Sequence, residues 1–211
     1  MTYGIYLVTD QALCGERGVI KTVRCAVDAG VSTVQLRDKN SDAATQLRTL
    51  EALAGVIAGR ARLLINDRLD VAVAARQRGI ALDGLHVGQS DDSAPRARDL
   101  LGPDAIIGLT ANTREHFNTV AQWPPGTVDY LGVGVIRPTS TKPDHPPALG
   151  IDGFAQLAGT NTVPCVAIGG VKLSDIAPLR RAGAAGVAVV SAICAADDAR
   201  ATADAFVRAW G

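Results

Sequence analysis

The run Tyr130-Leu131-Gly132-Val133-Gly134-Val135-Ile136 is followed, one residue later, by Pro138-Thr139-Ser140-Thr141-Lys142. The first stretch is apolar without alternation, which is typical of a strand buried on both faces of a parallel sheet. The second stretch places three hydroxyls and one ammonium just past the strand end, beside backbone N–H groups, and these donors suit a phosphate. A polar turn whose hydroxyls cap the next helix fits the same residues. These five residues alone leave both interpretations open.

Similar short β-branched runs recur along the chain, separated by Ala-, Leu- and Arg-rich segments with helical spacing. Their strict alternation predicts parallel strands joined by right-handed crossovers. Eight such units match a TIM (β/α)8 barrel of the α/β class, and we expect one barrel domain over residues 1–211. An open doubly wound sheet is the alternative, although Thr9-Asp10-Gln11-Ala12 rather than a Gly-x-Gly-x-x-Gly motif follows the first strand. The predicted strands are Gly4–Val8, Thr33–Leu36, Leu63–Ile65, Gly84–Val87, Ile106–Gly108, Tyr130–Val133, Cys165–Ile168 and Gly186–Val190, and the predicted helices include Val19–Ala29, Asp42–Ala58, Leu69–Arg78, Ser174–Ala182 and Asp197–Trp210.

The charge balance and the cysteines exclude several classes of protein. Acidic and basic residues balance at 21 each, so no overall field favours nucleic acid or an anionic membrane, and any anion site must be local. The N-terminus lacks a basic region followed by a long apolar region, so secretion is not expected. The cysteines (Cys14, Cys25, Cys165 and Cys194) have no Cys-x-x-Cys spacing, which argues against a disulfide framework or a zinc site. We therefore expect a soluble cytoplasmic protein, with no nucleic acid and no membrane among its partners.

The polar residues concentrate where the predicted strands end. In a closed barrel the residues that follow each strand share one rim, and active sites of this fold lie there. The predicted rim is unusually polar for so apolar a chain. Its residues are Gln35, Arg37, Lys39, Asn66, Asp67, Gln89, Asp91, Thr110, the segment Pro138–Lys142, Gly169, Gly170 and Ser191.

Two carboxylates of this rim, Asp67 and Asp91, follow adjacent predicted strands. With neighbouring waters they would form a hard oxygen site for Mg²⁺, which takes one or two carboxylates plus substrate phosphates. Arg37, Lys39 and Lys142 would surround a polyphosphate with positive charge, as a leaving diphosphate requires. The alternative is that each carboxylate caps the turn or helix that follows it. Either carboxylate alone favours a cap, whereas both on one rim beside three cations favour metal and phosphate binding.

A second phosphate region is predicted at the last two strands. Gly169-Gly170 would let the backbone approach an anion closely, and a helix starting near Ser174 would present its N-terminus to the same anion. Val190-Ser191 ends the last strand with free N–H groups, and barrel enzymes frequently bind phosphate with these two loops. Ordinary turn glycines and a helix cap are the alternative. The rim thus predicts a metal-bridged phosphate region near strands 2–4 and a metal-free one near strands 7 and 8.

The histidines indicate no covalent catalysis. His86 is predicted to be a structural, hydrogen-bonded side chain, and His116 and His145 are expected to be solvated. No Ser-His-Asp or Cys-His arrangement follows from their spacing. Tyr6 and Gln35 are placed where they would contact an aromatic heterocycle.

Seven ordered blocks across nearly the whole chain closely resemble the thiamine phosphate synthase family, whose members are TIM-barrel enzymes. Any one block would be weakly specific, but seven in the same order are highly specific. The blocks are Tyr6-Leu7-Val8-Thr9-Asp10, Gln35-Leu36-Arg37-Asp38-Lys39, Ile65-Asn66-Asp67-Arg68, His86-Val87-Gly88-Gln89-Ser90-Asp91, Pro138-Thr139-Ser140-Thr141-Lys142, Ile168-Gly169-Gly170-Val171 and Val189-Val190-Ser191-Ala192-Ile193.

The resemblance implies that two small-molecule substrates react. The 4-amino-2-methylpyrimidin-5-ylmethyl group would pass from its diphosphate to 4-methyl-5-(2-phosphooxyethyl)thiazole, giving thiamine phosphate and diphosphate. The implied chemistry is dissociative, because diphosphate leaves before the thiazole nitrogen attacks, and it needs no protein nucleophile. The implied catalytic residues are Arg37, Lys39, Thr110 and Lys142. By the same resemblance, Asp67 and Asp91 hold Mg²⁺, the pyrimidine diphosphate is bound by Gln35, Leu36, Arg37, Asp38, Lys39, Asn66, Thr110 and Lys142, and the thiazole phosphate is bound by Thr139, Ser140, Thr141, Gly170, Val190 and Ser191.

Two positions depart from the family pattern. Thr110 stands where Ser is usual, which keeps the hydroxyl, and Asn112 occupies a place where His is common. The related thiazole tautomerases share the barrel, lack much of the diphosphate apparatus and use a His near that place, so the residues here favour the synthase. A tautomerase-like barrel and a non-catalytic barrel that binds a phosphorylated ligand remain the alternatives. The loop Pro143-Asp144-His145-Pro146-Pro147 is expected to be mobile and to close over the substrates.

Overall fold

Eight parallel strands close into a barrel in which neighbours in sequence are neighbours in space and the eighth strand pairs with the first. The computed structural model describes residues 2–139, 141, 147–159 and 161–211. The strands are β1 (Gly4–Val8), β2 (Thr33–Leu36), β3 (Arg62–Asn66), β4 (Gly84–Val87), β5 (Ile106–Thr110), β6 (Tyr130–Gly134), β7 (Cys165–Ile168) and β8 (Gly186–Val189). The helices are α1 (Gln11–Cys14), α2 (Gly18–Asp28), α3 (Ala43–Ile57), α4 (Leu69–Gln77), α5 (Ala94–Leu101), α6 (Arg114–Ala121), α7 (Gly150–Ala158), α8 (Ile176–Arg181), α9 (Ser191–Cys194) and α10 (Ala199–Trp210), with 3₁₀ turns at Gly15–Arg17 and Leu173–Asp175. The predicted TIM barrel is confirmed.

The predicted strands differ from the structure mainly at the ends that form the rim. β3 continues to Asn66 and β5 continues to Thr110, beyond the apolar runs that predicted them. Both polar residues are held in the ladder by neighbouring strands, since Asn66 is in register with His86 and Thr110 with Gly132. Strand pairing therefore places these two predicted site residues on fixed strand ends rather than on loops.

Side-chain caps explain where several helices begin. Asp42 accepts a hydrogen bond from the N–H of Thr45, so the helix predicted from Asp42 begins at Ala43 with Asp42 as its N-cap. Comparable caps begin α1, α5, α6 and α10. The helix predicted from Ser174 starts later, at Ile176, because a 3₁₀ turn precedes it. Within the described residues, no helix is long and apolar enough to cross a bilayer.

The apolar side chains form two separate clusters. The larger one lies between the strands and the surrounding helices, and the smaller one fills the barrel. The interior cluster consists of Tyr3, Tyr6, Val8, Leu64, Tyr130, Val166 and Ala188. Gly108 makes room for the Tyr130 ring, because a Cβ at that position would lie 2.2 Å from Cζ of the ring. The floor of the rim is thus a packed layer of aromatic rings with buried hydroxyls.

Candidate active site

A cavity of about 990 Å³ opens at the carboxyl ends of the strands. Its position agrees with the rule that active sites of this fold lie at that face. The predicted site residues that line it are Gln35, Arg37, Lys39, Asn66, Asp67, Asp91, Thr110, Thr139, Thr141, Gly170, Val190 and Ser191. Ser140, Lys142 and the loop 143–146 lie outside the described residues, so their predicted roles stay predictions.

Two predicted site residues, Leu36 at the end of β2 and Asp38 just after it, do not line the cavity. Leu36 is buried in the outer apolar cluster. The Asp38 carboxylate accepts the N–H groups of Asn40 and Ser41, each at 3.0 Å, and so closes its own turn. Their contacts with the pyrimidine diphosphate, which the family resemblance implies, stay predictions.

Neither rim carboxylate acts as a helix cap. Asp67 has a left-handed backbone (φ +63°) and its N–H donates to the carbonyl of His86, while the helix that follows has Arg68 at its N-cap and no side-chain cap bond. Asp91 accepts the N–H of Gly88 at 2.8 Å, and Ser93 provides the cap of α5 instead. Neither carboxylate is therefore the N-cap of the helix that follows it, although Asp91 does close the turn that begins at Gly88.

The two carboxylates face each other. Burial, a hydrogen bond with Asp91 and the like charge of that carboxylate together raise the pKa of Asp67 to about 6, against the opposing effect of Lys39. In the described parts of the chain, no cluster of three or more histidine, cysteine or acidic side chains could hold a metal ion. A pair of adjacent carboxylates that repel each other without a cation fits Mg²⁺, whose other ligands are usually waters and phosphate oxygens.

Two cations lie beside this pair, and one of them, Arg37, is held by residues that follow β1. The Arg37 guanidinium lies 3.3 Å from Oδ2 of Asp10, and the Arg37 N–H donates to the hydroxyl of Thr9 at 3.1 Å. Asp10 is itself fixed, because its other oxygen caps α1. Lys39 is exposed but close enough to Asp67 to lower the pKa of that carboxyl. One side of the cavity therefore combines two carboxylates with two cations.

The loops after β6 and β7 are joined along the opposite side of the cavity. The N–H of Arg137 donates to the carbonyl of Gly169 at 3.0 Å, and the Arg137 guanidinium forms a two-point ion pair with Asp175, whose side chain is 3% exposed. Gly170 has φ +64° and lies directly against the backbone of this loop. The hydroxyl of Thr139 bonds to that of Thr141 at 3.3 Å. In the turn near Ser174, where an N-terminal anion site is predicted, the Asp175 carboxylate accepts the N–H of Lys172, and the anion site stays a prediction.

Two histidines contribute more to the cavity than the sequence indicated. His86 is hydrogen-bonded, as predicted, but it also lines the cavity, with its ring nitrogens 2.9 Å from the Tyr130 hydroxyl and 3.0 Å from that of Thr110. His116 was expected to be solvated, yet it is half-buried, lines the cavity and accepts the N–H of Asn112 at 3.2 Å. No sequence motif indicates a role for His116. It reaches the cavity because α6 begins next to the rim.

Comparison with known proteins gives one consistent result. A family model described as thiamine monophosphate synthase matches residues 5–193. The thiamine-phosphate synthase of Psychrobacter sp. (strain PRwf-1) is 41% identical over 96% of this chain and 93% of its own length, and that of Azorhizobium caulinodans is 45% identical over 92% and 88%. The structure of thiamine phosphate pyrophosphorylase from Pyrococcus furiosus superposes with a TM-score of 0.84 at 26% identity, covering 98% of this chain and 95% of that one. Orotidine 5'-phosphate decarboxylase from Pyrococcus horikoshii shares the fold alone, with a TM-score of 0.70 at 13% identity.

Proposed function

We infer that this chain, which belongs to the thiamine monophosphate synthase family, transfers the 4-amino-2-methylpyrimidin-5-ylmethyl group from its diphosphate to 4-methyl-5-(2-phosphooxyethyl)thiazole. The products are thiamine phosphate and diphosphate. One observation supports the assignment of this reaction to the cavity. An acidic pair and two cations line one side of it, and the joined β6 and β7 loops line the other. A transferase with two phosphorylated substrates needs two such anion regions facing one reaction space.

We propose that the diphosphate binds on the side of the cavity that Arg37, Lys39 and Asn66 line, with Lys142 as a further proposed contact. Asp67 and Asp91 are the residues that would hold Mg²⁺ there. When bound, Mg²⁺ supplies Lewis-acid neutralisation of the charge that builds on the departing diphosphate. Arg37 and Lys39 add charge-assisted hydrogen bonds to the same oxygens, and Asp10 fixes the guanidinium in place.

The thiazole phosphate is proposed to bind on the opposite side. The side chains of Thr139, Ser140 and Thr141 are the proposed phosphate ligands, while Gly170 allows close approach of the backbone. Val190 and Ser191 line the cavity where α9 begins. This region contributes no carboxylate to the proposed contacts, so it suits a monophosphate bound without metal.

The reaction is proposed to be dissociative. Diphosphate departs with the bonding electron pair, the pyrimidine-methyl cation is stabilised by its amino group, and the thiazole nitrogen then forms the new bond to carbon. The protein stabilises the leaving group and aligns two flat rings above the aromatic floor of the barrel. The free thiols of all four cysteines fit the cytoplasmic setting that we propose, and we propose that residues 1–211 act as one barrel domain.

The assignment is tested by incubating the purified chain with both substrates, with Mg²⁺ or with EDTA, and measuring thiamine phosphate and diphosphate. We expect equal amounts of the two products, and only when both substrates and metal are present. Isomerisation of a thiazole phosphate tautomer without the pyrimidine would instead identify a tautomerase. Binding of the thiazole phosphate without turnover would identify a non-catalytic barrel.

Replacing Arg37 by Gln tests the diphosphate side. We expect KM for the pyrimidine diphosphate to rise about 10-fold or more, since a hydrogen bond from a charged group contributes about 1.5–3 kcal/mol. The melting temperature should change little, because the Arg37–Asp10 pair is long, at 3.3 Å, and partly exposed. Arg60→Gln is the matched control, since Arg60 pairs with Asp28 at 2.6 Å and does not line this cavity. An unchanged KM in the Arg37 variant would remove Arg37 from the diphosphate site.

A further inference from the structure

A continuous chain of hydrogen bonds crosses the floor of the cavity from β2 to β5. Nε2 of Gln35 lies 2.6 Å from the Tyr6 hydroxyl, which lies 2.8 Å from the Tyr130 hydroxyl. The Tyr130 hydroxyl lies 2.9 Å from Nδ1 of His86, and Nε2 of His86 lies 3.0 Å from Oγ1 of Thr110. All five side chains of this relay line the cavity, although the two phenols in its middle are only about 1% exposed. The relay therefore connects two ligand-facing groups through the interior of the protein.

The relay has a direction. Burial raises the pKa of Tyr6 and of Tyr130 well above the usual value for a phenol, so each hydroxyl keeps one hydrogen to donate. The Gln35 amide N–H donates to Tyr6. Among the described residues the Tyr6 hydroxyl has one other hydrogen-bond partner, the Tyr130 hydroxyl, so the hydrogen of Tyr6 is assigned to Tyr130 and that of Tyr130 to Nδ1 of His86. A neutral imidazole that accepts at Nδ1 carries its hydrogen on Nε2 and donates it to Oγ1 of Thr110.

The direction fixes what each end offers to a ligand. The Thr110 hydroxyl already accepts a hydrogen bond from His86, so its own hydrogen is left to donate to a ligand in the cavity. Its position is fixed as well, because its carbonyl accepts from Nε2 of Gln89 at 2.5 Å. Gln35 uses its amide nitrogen on Tyr6 and keeps its amide oxygen as an acceptor. The cavity floor thus presents one donor and one acceptor, and the relay prevents either end from reversing alone.

We propose that this Gln35–Tyr6–Tyr130–His86–Thr110 relay selects a 4-aminopyrimidine over its 4-oxo analogue. The inference rests on the proposed function, because it assumes that the pyrimidine ring lies between Gln35 and Thr110. A 4-aminopyrimidine has an exocyclic N–H donor next to a ring nitrogen that accepts, which matches the acceptor and the donor of the floor. The 4-oxo ring in its lactam form carries a carbonyl acceptor next to a ring N–H donor, which is the reverse pattern. Tyr6, Tyr130 and His86 are positioning residues in this scheme, since they act through the two ends.

Tyr130→Phe cuts the relay in its middle. His86 then has no phenol to fix its tautomer, so the hydroxyl of Thr110 can turn and accept from a ligand, and the Gln35 amide can reverse. The test is to measure kcat/KM for the 4-amino and the 4-oxo pyrimidine diphosphates with saturating thiazole phosphate. The ratio of the two values should fall at least about 10-fold in the variant, since sites built to hydrogen-bond one pattern reject the other strongly. The intrinsic difference in reactivity between the two substrates cancels when the ratios of variant and wild type are compared.

Tyr3→Phe is the matched control. Tyr3 is in the same buried cluster, its ring centroid lies 4.5 Å from that of Tyr130, and its hydroxyl bonds to the carbonyl of Asp129 outside the relay. It should lose stability without changing the substrate ratio. Tyr6→Phe cuts the relay at a second point and should reproduce the lower ratio if Tyr130→Phe does not fold. An unchanged ratio in the folded relay variants would overturn the proposal, whereas a wild type that makes no thiamine phosphate would overturn the proposed function itself.

A second measurement needs no turnover. The His116→Gln/His145→Gln variant leaves His86 as the one histidine of the three in the chain. Nitrogen chemical shifts of its ¹⁵N-labelled ring, recorded where the ring is neutral, distinguish the two tautomers. We expect hydrogen on Nε2 and none on Nδ1, and mixed tautomers once Tyr130→Phe is added. Hydrogen on Nδ1 in the protein with Tyr130 intact would reverse the relay and exclude the proposal.

Discussion

Replacing Asp67 by Asn should lower kcat/KM about 100- to 1000-fold while leaving the fold intact, the loss expected when a preorganised electrostatic stabiliser of a transition state is removed. Asp67 and Asp91 form the proposed Mg²⁺ site, and the amide removes half of its negative charge. Asn is the appropriate replacement because the backbone is left-handed at this position, with φ +63°, and Asn tolerates that region better than Ala. Steady-state rates measured over a range of Mg²⁺ concentrations should show a higher metal requirement as well as a lower maximum.

The same substitution should stabilise the metal-free protein near neutral pH. The pKa of Asp67 is raised to about 6 by burial and by Asp91. The protonated carboxyl therefore contributes its full stability below the usual pKa of 3.8, and this stability is lost as pH rises through about 6. Asn cannot ionise and avoids this loss. After allowance for solvent screening we expect a gain of about 1 kcal/mol at pH 7.5, or roughly 2–4 °C in melting temperature. The difference between the variant and the wild type should vanish at pH 4.

Asp92→Asn is the control for both measurements. Asp92 is next to Asp91 in sequence, pairs with Arg96 at 2.7 Å and does not line the cavity. It should leave turnover and the metal requirement unchanged. Full activity of the Asp67 variant together with a lower melting temperature would show that this carboxylate serves the fold and not the metal.

The topology was predictable because it depends on where apolar runs occur, whereas the ends of β3 and β5 were not predictable. The runs in β1, β2, β4 and β7 predicted those strands to the residue. Asn66 and Thr110 are polar, so no hydrophobic pattern includes them in a strand. Cross-strand pairing, which a single segment does not reveal, holds them there.

The sequence predicted the residues of the candidate site through one rule, namely that residues after barrel strands share a rim. The rule does not say which way a side chain points. Asp38 turns back to its own loop, and Arg137 pairs with Asp175, 38 residues away, without any local signal. Whether Asp67 caps the helix after it could not be decided from sequence either, because aspartate is favoured both at helix caps and at left-handed positions.

The hydrogen-bond relay could not be predicted from the sequence either, because its members are far apart along the chain. Tyr6 and Tyr130 are 124 residues apart, and each looks like an ordinary aromatic residue in an apolar strand. Their hydroxyls meet because closure of the barrel brings β1 and β6 to opposite sides of one narrow interior. Only the position of His86 on β4 then gives the second phenol an acceptor. Burial of polar groups inside a barrel is decided by such distant pairs.

Replacing Gly170 by Ala should raise KM for the thiazole phosphate about 100-fold, the effect expected when a binding group is displaced by about 1 Å. A Cβ at this position would lie 2.7 Å from the carbonyl oxygen of Arg137 and 2.9 Å from that of Pro138. That backbone cannot move freely, because Arg137 is held by Gly169 and by its ion pair with Asp175. The strain must therefore be relieved by movement of the loop that carries Thr139 and Thr141, where we propose that the thiazole phosphate binds.

The Gly170→Ala substitution should raise KM for only one of the two substrates. KM for the pyrimidine diphosphate depends on the opposite side of the cavity and should change little. Gly183→Ala separates the clash from the cost of a left-handed backbone, because Gly183 also has a positive φ (+89°) but a Cβ there would meet nothing within 4 Å. Both variants should lose stability, and only Gly170→Ala should lose affinity for the thiazole phosphate. Equal increases in KM for both substrates would mean that the β7 loop supports the whole rim, and the separation of the cavity into two phosphate regions would then be wrong.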